Sequence, residues 1–225
     1  MHSAVLLWQE RQSNSRFIQS VWTSSTPAPV SRAVIADPCI SIALVKNSGD
    51  TYVVVTGPKT KPYHQLLPSG YTCVSIRLRP GTFLKNWPAQ KLIDKSVTFA
   101  ADAEGRFLFE GVHLQFPDFE QAERLVDQLY ELGHIEYRLP GRALVTTRSS
   151  DRTYARHIRH ATGLSPYRLY QLQRMHQALQ LLKQGRAAAD VAAELAFVDQ
   201  SHFVRASRQF FGHTPRQLLD LPQSP

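Results

Sequence analysis

Five residues near the C-terminus occur twice at a constant separation. Arg156, Arg159, Gly163, Ser165 and Pro166 reappear 49 positions later as Arg205, Arg208, Gly212, Thr214 and Pro215, and Tyr154 and Phe203 add an aromatic at the same offset. Each copy reads as a short basic helix, a glycine stop, and Ser/Thr-Pro opening the next helix. A guanidinium offers a two-pronged donor to guanine O6 and N7, glutamine can pair with adenine in the same way, and further Arg and Lys neutralise phosphates. Two such helices in one small unit suit a repeating polyanion touched at two places, and duplex DNA is the obvious candidate.

These side chains need rods to present them. Ser150 is suited to cap a helix running to about Thr162. On it Tyr154, Ile158 and Ala161 share one face, and Arg152, Ala155, Arg156 and Arg159 share another. Ser165 then caps a long helix with Pro166 in its first turn and an apolar stripe of Leu172, Met175, Ala178, Leu179 and Leu182, ended by Gly185. About eighteen residues at ~1.5 Å each span ~27 Å, close to one DNA turn of ~34 Å. A short alanine-rich helix, about Ala187 to Leu195, leads through Ala196-Phe197-Val198 to Asp199, the expected cap of the second basic helix. That helix carries Gln200, Ser201, Val204, Arg205 and Arg208 on one face and Phe203, Ala206 and Phe210 on the other. Thr214-Pro215-Arg216-Gln217 has the form of a capping box.

Charge separates the chain into two parts. Of 225 residues with net charge +8, residues 139–225 hold 12 Lys+Arg against 5 Asp+Glu, and residues 1–138 hold 14 against 13. A nearly neutral first part and a strongly basic second part point to two jobs. The basic part also holds His157, His160, His176, His202 and His213, read as phosphate or surface contacts rather than metal ligands. No apolar run approaches the ~20 residues that cross a bilayer, so no membrane contact is expected. Met1 to Trp8 lacks the regions of a signal peptide, and Cys39 and Cys73 are too few for a disulfide framework or zinc knuckle, which makes the cytoplasm the expected compartment. No phosphate loop, zinc motif or nucleophile elbow is present, so no catalytic residues, metal or cofactor are expected and the chain is not read as an enzyme.

The first part is strand-rich. Val74, Ile76 and Leu78 alternate with Cys73, Ser75, Arg77 and Arg79, and Pro80-Gly81 ends the strand. Ile40, Ile42 and Leu44 precede Asn47-Ser48-Gly49-Asp50 and Tyr52-Val53-Val54-Val55, which predicts a hairpin. Further strands are expected around 4–9, 16–22 and 107–114, and loops over 24–29 and the proline-studded 58–68. A helix capped by Asp118, with Phe119, Ala122, Val126 and Leu129 inward, is stopped by Gly133. Trp8, Trp22, Tyr52, Tyr71, Arg77 and Arg79 are candidates to line a small-molecule pocket, against the plainer reading of core aromatics and a solvated arginine face; no ligand-binding residue is assigned. Cys39 and Cys73 read as buried small hydrophobes.

The second part resembles the C-terminal DNA-binding domain of the AraC/XylS family of bacterial transcription regulators. The resemblance runs from Ser150-Asp151-Arg152-Thr153-Tyr154-Ala155-Arg156 through Gly163-Leu164-Ser165-Pro166 and Arg174-Met175-His176-Gln177-Ala178-Leu179. It continues through Phe197-Val198-Asp199-Gln200-Ser201-His202-Phe203-Val204-Arg205 to Phe211-Gly212-His213-Thr214-Pro215. It implies two helix-turn-helix units joined by a long helix and entering successive major grooves, with reading positions at Arg152, Ala155 and Arg156 and at Gln200, Ser201, Val204 and Arg205. The sequence departs from the family at Ala196, where Gly is usual, at Ser207 and Ile158, where Phe is usual or common, and before Ser150, where helical periodicity is poor. The first part more loosely resembles the N-terminal domains of AraC-like proteins, which commonly sense a small effector or mediate dimerisation. A fused DNA alkyl-transfer domain, known beside some AraC-like modules, needs four zinc-binding cysteines that two cannot supply.

The expected fold is therefore α+β. Residues 1–133 form a β-rich unit with a C-terminal helix for effector sensing or dimerisation, 134–149 a linker or irregular start, and 150–222 an all-α unit of two helix-turn-helix motifs. The expected function is sequence-specific DNA binding as an activator or repressor under a small effector. The alternative is an AraC-like protein whose first reading head is degenerate and which acts mainly through a protein partner. Double-stranded DNA, a small-molecule effector, RNA polymerase and a second copy of the chain are the candidate partners.

Overall fold

The alternation over 72–79 does form a strand, but both of its faces are covered. Ile76 and Leu78 are fully buried on one side, and Cys73 and Ser75 are as deeply buried on the other. The computed structural model describes residues 6–138 and 152–220 and has the expected α+β architecture. In chain order the first part contains β1 (Leu7–Gln12), β2 (Ile18–Ser25), β3 (Val30–Val34), β4 (Ser41–Asn47), β5 (Asp50–Thr56), β6 (Tyr63–Leu67), β7 (Thr72–Leu78), β8 (Thr82–Leu84), α1 (Ala89–Leu92), β9 (Ser96–Ala100), β10 (Arg106–Phe109), β11 (Val112–Gln115), α2 (Glu123–Glu131) and β12 (Ile135–Tyr137). The second contains α3 (Arg152–Thr162), α4 (Pro166–Lys183), α5 (Ala188–Glu194), α6 (Gln200–Phe211) and α7 (Pro215–Asp220).

An antiparallel six-stranded sheet, ordered β1-β2-β7-β4-β5-β9, organises the first part. The predicted hairpin is β4-β5, turned by Ser48 and Gly49. Four expectations change. The 107–114 stretch is a hairpin, β10-β11, because Glu110 and Gly111 both take positive φ and reverse the chain. The proline-studded 58–68 loop contains β6, which pairs with β3 through Tyr63–Leu67, a window free of proline. The Asp118 carboxylate accepts the Gln121 N–H at 2.9 Å, but this closes a turn and α2 begins at Glu123. β12, inside the stretch expected to be a connection, pairs with β8.

One sheet face packs Ile18, Val21, Ile42, Val53, Ile76 and Leu78 against α2 and the β10-β11 hairpin. On the other face Ala43, Val45 and Cys73 pack with Val30, Leu67 and Tyr71. The helical unit has its own core, built on Ile158, Leu169, Leu172, Met175, Phe203, Phe210 and Phe211, and it incorporates Ala36 with Ile35 and Ile93 from the first part. Burial of this kind contributes roughly 1.5–3 kcal/mol per large apolar side chain. The two parts are thus packed together, not merely tethered.

Candidate nucleic-acid interface

The two basic helices are built alike from their ends inward. Gly163 and Gly212 sit at φ +74° and +77°, the left-handed conformation that closes a helix and that glycine adopts without strain. Ser165 Oγ accepts the Arg168 N–H at 3.2 Å, opening α4 with Pro166 at its first position. Thr214 and Gln217 exchange hydrogen bonds of 3.0 and 3.3 Å at the start of α7, the predicted capping box. Asp199 caps α6 by accepting the His202 N–H. The cap expected at Ser150 lies outside the described residues.

Core side chains fix which face each helix turns out. Ile158 and Ala161 are buried in α3, and Phe203, Ala206 and Phe210 in α6. Arg152, Arg156 and Arg159 then stand exposed on α3, with Ala155 half-buried between them. Gln200, Ser201, Arg205 and Arg208 stand exposed on α6, with Val204 half-buried. None of these five arginines pairs with a carboxylate among the described residues, whereas Arg11, Arg77 and Arg186 all do. An exposed row of uncompensated guanidinium groups beside a small side chain is an arrangement that a groove and its phosphates can enter.

The turn before α6 is held from below. The Arg174 guanidinium carbon lies 3.6 Å from the centroid of the Phe197 ring, and Phe197 packs on Phe203 with centroids 4.8 Å apart. Ala196, where glycine is usual in the resembled family, takes φ +55°. Ser207, where phenylalanine is usual, is fully buried and satisfies its hydroxyl by donating to the His213 carbonyl at 2.6 Å.

Sequence reasoning missed the docking residues. His160 stacks edge-on against Phe83 at 5.2 Å between centroids, and His213 approaches His64 at 6.3 Å. His176 bonds through Nε2 to the Ala36 carbonyl at 2.8 Å. All three histidines contact the first part, His160 while remaining exposed. Burial and the neighbouring Arg77 cation push His176 down to about 4, so it is neutral and donates from Nε2. Ala36 also donates to the Phe210 carbonyl at 2.9 Å, and Arg168 to the Thr60 carbonyl at 2.7 Å. Only the placement of His176 next to the apolar stripe of α4 hinted at this. Among the named candidates for a small-molecule pocket, Trp22 and Arg77 line a cavity together, while Tyr71 is core. Arg77 is not on a solvated face: its Nε lies 2.9 Å from Asp37 Oδ2, and that cation holds the Asp37 carboxyl well below the usual carboxylate range.

Residues 146–220 match the family described as a helix-turn-helix domain. The C-terminal unit is an AraC-type helix-turn-helix domain. A domain of this kind binds DNA. Ahead of the AraC-type domain, residues 13–98 match a domain of unknown function, DUF6597. No curated protein matches the chain significantly. Among solved structures it is similar to ToxT from Vibrio cholerae. An apo variant of ToxT from strain SCE256 is 11% identical over 95% of this chain and 100% of that one, with a TM-score of 0.47. Wild-type ToxT bound to an unsaturated fatty acid is 10% identical over 98% and 96%, with a TM-score of 0.44. Among the described residues no helix is long and apolar enough to cross a membrane, and no three His, Cys, Asp or Glu side chains gather into a metal site.

Proposed function

We propose that the protein reads a specific DNA sequence with α3 and α6 in successive major grooves. Arg152, Ala155, Arg156 and Arg159 make the first set of contacts, and Gln200, Ser201, Val204, Arg205 and Arg208 the second. The observation that carries this is the repetition itself. Two helices, each closed by a left-handed glycine and each with one buried face, turn outward arginines that have no carboxylate partner among the described residues, and they are joined by an eighteen-residue helix whose length is close to one DNA turn. The strand-rich part, proposed as the sensing or dimerising unit, controls this reading in response to a small effector. Residues 150–222 are the proposed DNA-binding domain.

Selection of bound duplexes from a random DNA pool tests the reading. Two preferred segments about one helical turn apart support it, and a single preferred segment confines reading to one helix. Enrichment without preference removes sequence-specific recognition altogether. A symmetric repeat of the paired segments marks a dimer.

A further inference from the structure

Between the sheet and α4 lies a cavity of about 270 Å³. It continues past Arg77 and His176 into a cleft of about 550 Å³ that shares Gln12, Gln19 and Gln180 with it. The two parts of the chain contribute opposite walls: strands of the sheet on one side, His176, Gln180 and Lys183 of α4 on the other. Buried polar atoms face no partner here. Ser20 Oγ on the sheet side and Gln173 Oε1 on the helix side are both buried without a hydrogen bond among the described residues. A buried group of this kind costs about 1–3 kcal/mol unless a guest or water satisfies it.

The charge around this space is unbalanced. Arg32, Lys59, Arg77, Arg79 and Lys183 line the two chambers against Glu10 and Asp37 alone. Asp37 is already committed to Arg77. Neither Lys59 nor the exposed Lys183 makes a salt bridge among the described residues, and burial, which outweighs the longer-range pull of Asp37, pushes the Lys59 ammonium below its ordinary value. Arg32 lies over the Trp22 ring at 5.4 Å and is held there by Gln65. An anion in the cavity would relieve the desolvated lysine, and glutamine amides would suit hydroxyl groups beside it. An uninterrupted acyl chain would leave those amides and Ser20 unsatisfied.

We propose that this space is the binding site of a compact, hydroxylated acid, its anionic oxygens held by Lys59 and Arg32 from the strand-rich part and Lys183 from α4. The proposal rests on the reading of the chain as an effector-controlled regulator and names the chemistry of that effector. Because the walls belong to different parts, occupancy ties the position of α4, and with it both basic helices, to the sheet. The ligand acts by favouring the arrangement in which the two walls meet it together.

Trp22 provides the readout, and no DNA is needed, so the outcome does not depend on whether sequence reading holds. Tryptophan fluorescence of the full chain is titrated with gluconate, with inorganic phosphate, and with neutral sorbitol, using Trp22→Phe to isolate the signal. A saturable change with gluconate alone assigns a carboxylate, with phosphate alone a phosphate group, and with both the shared anionic chemistry; sorbitol gives none. Lys183→Gln and Arg32→Gln each weaken the response about tenfold, the loss of one charge-assisted hydrogen bond. The double variant Arg156→Ala, Arg205→Ala leaves it unchanged. No saturable response to either anion overturns the proposal. So does a response that survives Lys183→Gln and Arg32→Gln but disappears in the double variant, which places the anion on the DNA-reading face.

Discussion

Arg168, in the first turn of α4, donates to the Thr60 carbonyl at 2.7 Å, and its guanidinium lies 4.6 Å from the centroid of the Phe210 ring. One side chain thus joins the strand-rich part, the long helix and the end of α6. Arg168→Met keeps the aliphatic packing and removes the charged donor, and is expected to lower unfolding stability by about 1–2 kcal/mol. Urea denaturation followed by circular dichroism measures it; an unchanged midpoint would show that the bond is replaced by water at no cost.

His176 makes the junction acid-sensitive. Its folded-state value of about 4 lies below the ordinary 6.5, so the unfolded chain takes up a proton that the folded protein refuses. Stability therefore falls as pH drops from about 6.5 towards about 4. The paired Asp37 carboxyl adds a further loss once pH falls below its ordinary value of 3.8. His176→Gln retains a donor for the Ala36 carbonyl, so it should flatten the upper part of this profile and leave the lower part. Chemical denaturation from about pH 7 to about pH 2 reads both parts of the slope directly.

Glycine substitutions separate strain from crowding. A Cβ on Gly163 would lie 2.9 Å from the Ala89 carbonyl carbon and oxygen, whereas one on Gly185 meets open space, and both residues have positive φ. Gly163→Ala is expected to cost more than the roughly 1–2 kcal/mol of left-handed strain alone, and Gly185→Ala only that. Equal thermal shifts in the two variants would show that α1 yields to the added methyl.

Ala196 carries left-handed strain at the turn that presents α6. Ala196→Gly is expected to raise stability by about 0.5–1 kcal/mol. A lower melting temperature would show that the flexibility added to the unfolded chain outweighs the relief.

Arg205→Ala is expected to weaken binding to a selected DNA site by about 1–3 kcal/mol and relax base preference at one position. Arg208→Ala should instead weaken all sequences alike and reduce the salt dependence of binding. Equilibrium binding to the selected site and single-base variants, at several salt concentrations, distinguishes them. Unchanged affinity and preference for Arg205→Ala would remove it from the base-reading set.

The helical unit was legible because its signals are local. Ser165, Asp199, Gly212 and the Thr214–Gln217 pair act within a turn of their own positions, and each appears in the structure where spacing placed it. The sheet was less legible because both its faces are covered. Alternation that sets Arg77 and Arg79 on one side predicts a solvated arginine face when only the strand is considered, yet β3, β6 and the docked helical unit cover the side that carries Cys73, Ser75 and Arg77. The docking of His160 on Phe83 and of Arg168 on Thr60 joins residues far apart in sequence whose types are ordinary on any surface. No periodicity announces such a pair.

Leu169, Leu172, Met175 and Leu182 anchor α4 in the helical core, while His176, Gln180 and Lys183 border the sheet. A stiff rod gripped along opposite sides tilts or slides only as one piece. A displacement imposed by the sheet would therefore reach both arginine rows together, shifting their phase along the double helix while leaving each row intact. Where two copies of the chain bind side by side, operators would then be sorted by the distance between the two copies' sites, with a change of that distance standing in for a change of affinity.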